Sequence, residues 1–317
     1  MQSRQTLTVS IETELRRRVL RGLALNRTPG YHYMGNFFDF SFDHVAERDV
    51  RMTMDVGEHC RVANGDAAYS AMAVFVDIAM AANVRAGHTP ASRLATVQMN
   101  LQFTGEPMTG RLSLQSALQG YVKNVTSVQG AATATVTAHG RPVCLGHGTF
   151  MVLDPPKGVT LYDMSHRKHG DPDVAPLAIE QLDPKERKVV AAGERAIAGM
   201  VEGKLFYDGF IGIETQPGGK GATAKLPYGP HVGNRVGHLQ GGLTMGLGIA
   251  AAEASLPATW RLSAVTSWYI SPGQGRVIRA RSRIVHHGRL TAVVRTEIFG
   301  KNNRRVMEMV TTHAHRA

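Results

Sequence analysis

The sequence predicts an α+β chain built twice over, each half a sheet wrapped on one long helix. Three observations predict it. Short motifs recur in the same order at nearly constant spacing: EPMTGR (106–111) and SPGQGR (271–276) share Pro, Gly and Arg at an offset of 165, RLA (93–95) answers RLS (261–263) at 168, and Gly57 and His59 answer Gly229 and His231 at 172. Two largely apolar stretches, about 67–85 and 241–254, have the length of single helices. Each is followed by three or four runs rich in Val, Thr and Ile, and the alternation of RVIRARSRIV marks a sheet with one wet face.

Taken in order, each copy opens on an amphipathic helix, roughly 9–24 in the first and 183–201 in the second. Short strands follow, then a loop and the apolar helix. RLATVQMNLQF, RLSLQSAL, AATATVTAHG and CLGHGTFMVL are the next strands of the first copy. RLSAVTSWYI, RVIRARSRIVHH, LTAVVRTEIFG and RRVMEMVTTHAH are those of the second. Residues 154–182, proline-rich and charged, read as a linker, which divides the chain into 1–153, 154–182 and 183–317.

Composition narrows the function. At 317 residues, 43% hydrophobic and 19% charged, the chain is long enough for two globular units. Cys60 and Cys144 form neither a disulfide framework nor a metal-site spacing, so a reducing cytoplasm is expected, with a single bridge between them left open. No secretory h-region is visible, and the longest apolar run, AAYSAMAVFVDIAMAANV, is broken by Asp77, so no membrane span is expected. The net charge of +11 is scattered, without the basic block and interleaved aromatics of a nucleic-acid face. It suits a small polyanionic ligand equally well.

Candidate chemistry is divided between the copies. NRVGHLQGGLTMGLGIAAAE (234–253) is a glycine-opened loop entering a helix, an arrangement that aims backbone N–H groups at an anion. Its one carboxylate is Glu253, deep in the helix. The first copy has no such loop but carries Asp77 inside AVFVDIAM, where burial should raise a carboxyl pKa into the range of a general base or a nucleophile.

These residues resemble the hotdog-fold thioesterases, and most nearly the phenylacetate-pathway branch of the 4-hydroxybenzoyl-CoA thioesterase superfamily, duplicated here as a double hotdog. The resemblance covers most of the chain outside the leading helices and the linker. The family pattern is an Asn, a His-Gly-Gly six residues on, an Asp nine residues after the His, and a Ser or Thr opening the next strand. The second copy keeps Asn234 and Gln240-Gly241-Gly242, with Gln for His, but has Ile249 at the Asp position. The first copy has Val62 and Ala68-Tyr69-Ser70 instead, yet keeps Asp77 and the strand Thr96-Val97-Gln98-Met99-Asn100-Leu101. The resemblance implies a tandem hotdog, each half an antiparallel sheet around its helix, with one composite site hydrolysing an acyl-CoA thioester. Asp77 and Thr96 would supply chemistry, and Asn234, Gln240 and Gly241 polarisation. Gly242 with His287, Gly288 and Arg289 would hold coenzyme A, which enters as part of the substrate; no separate cofactor or metal is implied. The complementary site at Ala68 and Ile249 should be dead, with Glu253 a solvated helix end. A dimer or trimer of double hotdogs is expected. Two other readings stand beside it: a double-hotdog enoyl-CoA hydratase, for which Gly65-Asp66 is present but the following Asn-Pro and His are not, and a non-catalytic acyl-CoA binder. The acyl group is not legible.

Overall fold

The computed structural model describes residues 2–315 apart from 29–32, 90–91, 125–126, 156, 159, 161 and 164–165, with side chains from residue 10 onward. Each copy starts with a pair of helices, α1 (Gln2–Asn26) and α2 (Tyr33–Phe37) in the first, α4 (Pro184–Met200) and α5 (Phe206–Ile211) in the second. Helix α4 has a clear reason to start where it does. The Asp183 carboxylate accepts from the Lys185 and Glu186 N–H groups, Glu186 accepts from Asp183 N–H at 2.8 Å, and Pro184 presets the first turn. The short α2 and α5 were not foreseen. They carry an aromatic cluster in which the Phe37 and Phe210 rings stand 4.7 Å apart, and α1 packs on α4.

Strands β1 (Ser41–Ala46) and β2 (Asp49–Asp55) precede the central helix α3 (Tyr69–Ala86), and β3 (Arg93–Phe103), β4 (Arg111–Lys123), β5 (Val128–Ala138) and β6 (Arg141–Leu153) follow it. The second copy repeats this with β7 (Glu214–Gly218), β8 (Gly221–Pro227), central helix α6 (Gly241–Glu253), β9 (Trp260–Tyr269), β10 (Val277–His287), β11 (Thr291–Phe299) and β12 (Arg305–His315). All twelve strands form one antiparallel sheet in the order β1-β2-β4-β5-β6-β3-β9-β12-β11-β10-β8-β7. Outward from the middle, both halves have the same connectivity. Residues of β4 and β10 alternate between buried and exposed, and the buried faces hold α3 on one side of the middle and α6 on the other.

The sheet seam and the central helices also join the halves. Across the β3–β9 seam, Met99 pairs with Ser267, two positions that are equivalent at the offset of 168, so a pseudo-two-fold axis passes through this pair. Behind the seam, α6 presses against α3. A Cβ on Gly242 would lie 2.4 Å from Val74 N, and one on Gly246 would lie 2.2 Å from Ser70 Cβ, so both positions require glycine. Cys60 and Cys144 are free and buried. Among the described residues, no helix is long and apolar enough to cross a membrane.

Candidate active site

Asp77 lies midway along α3 and is only 8% exposed. A helix interior cannot satisfy a carboxylate, so its partners come from elsewhere. Thr96, the fourth residue of β3, donates from Oγ1 to Asp77 Oδ1 at 2.8 Å. Gln240, from the other half, donates from Nε2 to Asp77 Oδ2 at 2.8 Å. Burial drives the Asp77 carboxyl up to about 6, while Thr96, the more distant Arg85 and Gln240 hold it from rising further.

Gln240 is also the N-cap of α6. Its Oε1 accepts from Leu243 N–H at 2.9 Å, which fixes the amide with its oxygen toward the helix and its nitrogen toward Asp77. The cap therefore selects the face that the side chain offers to the carboxylate. Gly241 follows at the first helical position, where geometry supplies no intrahelical acceptor for its N–H. A Cβ there would stand 3.2 Å from Asp77 Oδ2 and 3.3 Å from Thr96 Oγ1. Tyr269 Oη donates to the Gly241 carbonyl at 3.0 Å and anchors the loop; burial, with the nearby Asp77 charge, raises its hydroxyl pKa well above 10.

These groups line a cavity of about 320 Å³ walled by Ile78, Leu94, Phe150 and Val306, with Arg85, Arg93, Arg235 and His238 at its polar end. Asn234 also lines it, but its Oδ1 accepts from Val236 and His238 N–H groups at 3.0 Å each, so its carbonyl shapes the loop. Gly242 is a correction. It does not reach the cavity, because it is spent on the close approach to α3. His287, Gly288 and Arg289 do not line this cavity. They form the β10–β11 turn beside Trp260, whose ring lies 4.9 Å from His287, and Trp260 lines a different cavity. Sequence signals had not singled out Tyr269, Arg85 or Arg235. The spacing Asp77–Ala81–Arg85, one helix face, was the available clue for Arg85.

That second cavity, about 730 Å³, occupies the pseudo-equivalent place. Ala68 and Ile249 stand where Gln240 and Asp77 stand in the first, and Tyr69 replaces Gly241. Glu253 lines it and is exposed to water. Asp66 is committed to the fold there, accepting from Met108 N–H at 2.7 Å and pairing with Arg261 at 2.9 Å. It is thus not a free acid or base for hydration.

Residues 231–314 match the family described as acyl-CoA thioesterase N-terminal domain. No curated protein sequence matches the chain. Among solved structures, a conserved protein with a hot dog fold from Alicyclobacillus acidocaldarius superposes at TM-score 0.52 and 10% identity, covering 90% of this chain and 99% of its own. The tesB protein of Mycobacterium avium subs paratuberculosis gives 0.50 at 9% identity, over 87% and 96%. The 12:0-ACP thioesterase of Umbellularia californica gives 0.50 at 8% identity, over 84% and 94%. The chain has the double-hotdog fold, and its residues 231–314 are similar to an acyl-CoA thioesterase domain. In this double hotdog Gln240 and Gly241 come from the matched half, while Asp77 and Thr96 come from the half outside the match.

Proposed function

We propose that the double hotdog hydrolyses an acyl-CoA thioester at the Asp77 cavity, with Asp77 as general base. What carries this reading is one buried carboxylate that receives Thr96 from its own half and Gln240 from the other, beside a helix N-terminus. A carboxyl near 6 is ionised at neutral pH yet basic enough to take a proton from water in the transition state. The Thr96 hydroxyl gives its proton to Asp77, so its lone pairs are available to hold that water. Gly241 N–H, aided by the helix dipole, and the second N–H of Gln240 Nε2 are suited to the oxyanion that forms as water adds to the thioester carbonyl. Collapse of the tetrahedral intermediate expels the thiolate, which takes back the proton held by Asp77 and leaves as CoA, and the acyl group departs as the free acid. A base is favoured over a nucleophile because both Asp77 oxygens are already engaged by donors that an anhydride would displace.

The test is a panel of acyl-CoA thioesters with thiol detection on wild type, Asp77→Asn and Gln240→Ala. CoA release by wild type that falls about a hundredfold or more in Asp77→Asn supports the reading. Single turnover in H₂¹⁸O separates the two roles: label entering the Asp77 carboxylate would mean a nucleophile. Binding of acyl-CoA without turnover by wild type would leave the acyl-CoA binder in its place.

A further inference from the structure

The Asp77 cavity has a second chemical feature at the far end of α3. Asp77, Ala81 and Arg85 recur every four residues on one face of the helix, and all three line the cavity, so Arg85 lies two turns beyond the carboxylate. Its Nε donates to the Ser92 carbonyl at 3.3 Å. Arg235, from the loop of the other half, donates from Nη2 to the same carbonyl at 3.5 Å and from Nη1 to the Tyr162 carbonyl at 3.1 Å. Two guanidinium groups therefore converge on one neutral oxygen. Among the described residues neither forms an ion pair.

Each guanidinium has five N–H donors, and the carbonyls named account for few of them. Like charges brought together in a partly buried wall are unfavourable unless an anion joins them. Asp77, two turns away on α3, is the carboxylate that acts on Arg85, and it forms no ion pair with either arginine. Arg93 and His238, also on the cavity wall, add further cationic or neutral groups, and the nearby His166 has a buried Nε2 with no hydrogen-bond partner. Burial and the neighbouring Arg235 bring the Arg85 guanidinium down to about 9, which is the strain a bound anion would relieve. A purely structural arginine closing α3 onto the Ser92 carbonyl would gain nothing from a second guanidinium on the same acceptor.

We propose that Arg85 and Arg235 form an anion subsite of this cavity, which holds a carboxylate or phosphate of the substrate about 12 Å along the helix from Asp77. The proposal rests on the reading of the Asp77 cavity as a thioesterase site and names what its substrate must carry. Two sources offer that chemistry: a phosphate of coenzyme A, or a carboxylate at the far end of the acyl group. The site is split between the halves just as the Asp77–Gln240 contact is, one arginine from each.

Four thioesters separate the sources: decanoyl-CoA, its ω-carboxy analogue, and both acyl groups on N-acetylcysteamine, which has no phosphate. Each is assayed with wild type, Arg85→Gln and Arg235→Gln, whose folding is checked by circular dichroism and thermal melting. Loss of a charge-assisted contact should lower kcat/KM about tenfold to a hundredfold wherever the anion is present. A loss on both CoA substrates and on neither N-acetylcysteamine substrate assigns the anion to coenzyme A. A loss on both ω-carboxy substrates, whatever the carrier, assigns it to the acyl group. An equal change on all four, including no change, overturns the subsite while leaving the thioesterase reading intact. If wild type hydrolyses none of the four, the acyl-CoA panel decides the thioesterase reading separately, and calorimetry with CoA and with decanedioate decides the subsite. Binding weakened tenfold or more in either variant supports it, and binding that is absent or indifferent to both substitutions overturns it.

Discussion

Asp77→Asn should make the protein more stable as it removes turnover, and the pH dependence of that gain is the informative part. Burial moves the carboxyl from 3.8 to about 6, a difference worth about 3 kcal/mol. The folded state holds the proton more tightly than the unfolded chain does. Its stability is therefore full below about pH 4, falls as pH rises from about 4 to about 6, and stays lower above that. Asparagine has no charge to desolvate. It also fits the existing partners: its Oδ1 can accept from Gln240 Nε2, and its Nδ2 can donate to Thr96 Oγ1, since a hydroxyl serves as either partner. Thermal melts of wild type and variant at pH 4, 5, 6, 7 and 8 should diverge between pH 4 and 6, and the gap should reach up to about 3 kcal/mol, or roughly 5–10 °C, and then stay constant. A gap of the same size at pH 4 and pH 8, or a variant less stable at pH 8, would refute the claim that a desolvated carboxylate sits at this position.

The same carboxyl sets a kinetic limb: kcat/KM should fall tenfold per pH unit below about 6 and be level above it, measured on any turned-over thioester. Gly241→Ala and Gly242→Ala should fail in different ways. The first pushes a methyl against Asp77 and Thr96 and should reduce turnover with little change in melting temperature, while the second drives α6 off α3 and should cost about 1–3 kcal/mol in urea unfolding. Gln240→Glu can still cap α6 but places a second carboxylate against Asp77, so the kinetic limb should move to higher pH. Acid should destabilise the fold independently. Burial lowers His59 to about 3 and His166, His231 and His313 to about 4, so stability is full above about pH 6.5 and drops as pH falls toward 4, visible as a lower urea midpoint at pH 4.5 than at 7.5.

Much of this architecture is legible in the sequence because two periodicities carry it. The apolar stretches around Asp77 and after Gln240 are helices that must bury nearly every face, and the alternating runs are strands with one wet face. The repeat offset then supplies the two-fold arrangement. The pairing of Asp77 with Gln240 was readable only through the resemblance, since nothing local links residues 163 positions apart. Gly241 and Gly242 look identical in a sequence, yet one faces the cavity and the other faces α3, a difference of one step in helical phase. The β10–β11 turn illustrates a related limit on a motif's meaning. A two-fold arrangement offers two equivalent clefts, and a motif does not state which one it borders. Helices α2 and α5 are too short for a periodicity to register, and the Phe37–Phe210 contact that joins them spans the two copies.

The pair at the pseudo-axis, Met99 beside Ser267, bears on whether either half could live alone. Directly paired residues of antiparallel strands project to the same side, and both of these are fully buried. The large thioether and the small hydroxyl divide that space unequally, and Ser267 Oγ donates to the Met99 carbonyl at 3.1 Å. A homodimer of the first half would bring two methionines to the axis, and one of the second half would bring two serines; isologous symmetry permits nothing else. Neither self-pair reproduces the mixed volume. At the pseudo-axis each half is thus shaped to a neighbour that differs from itself.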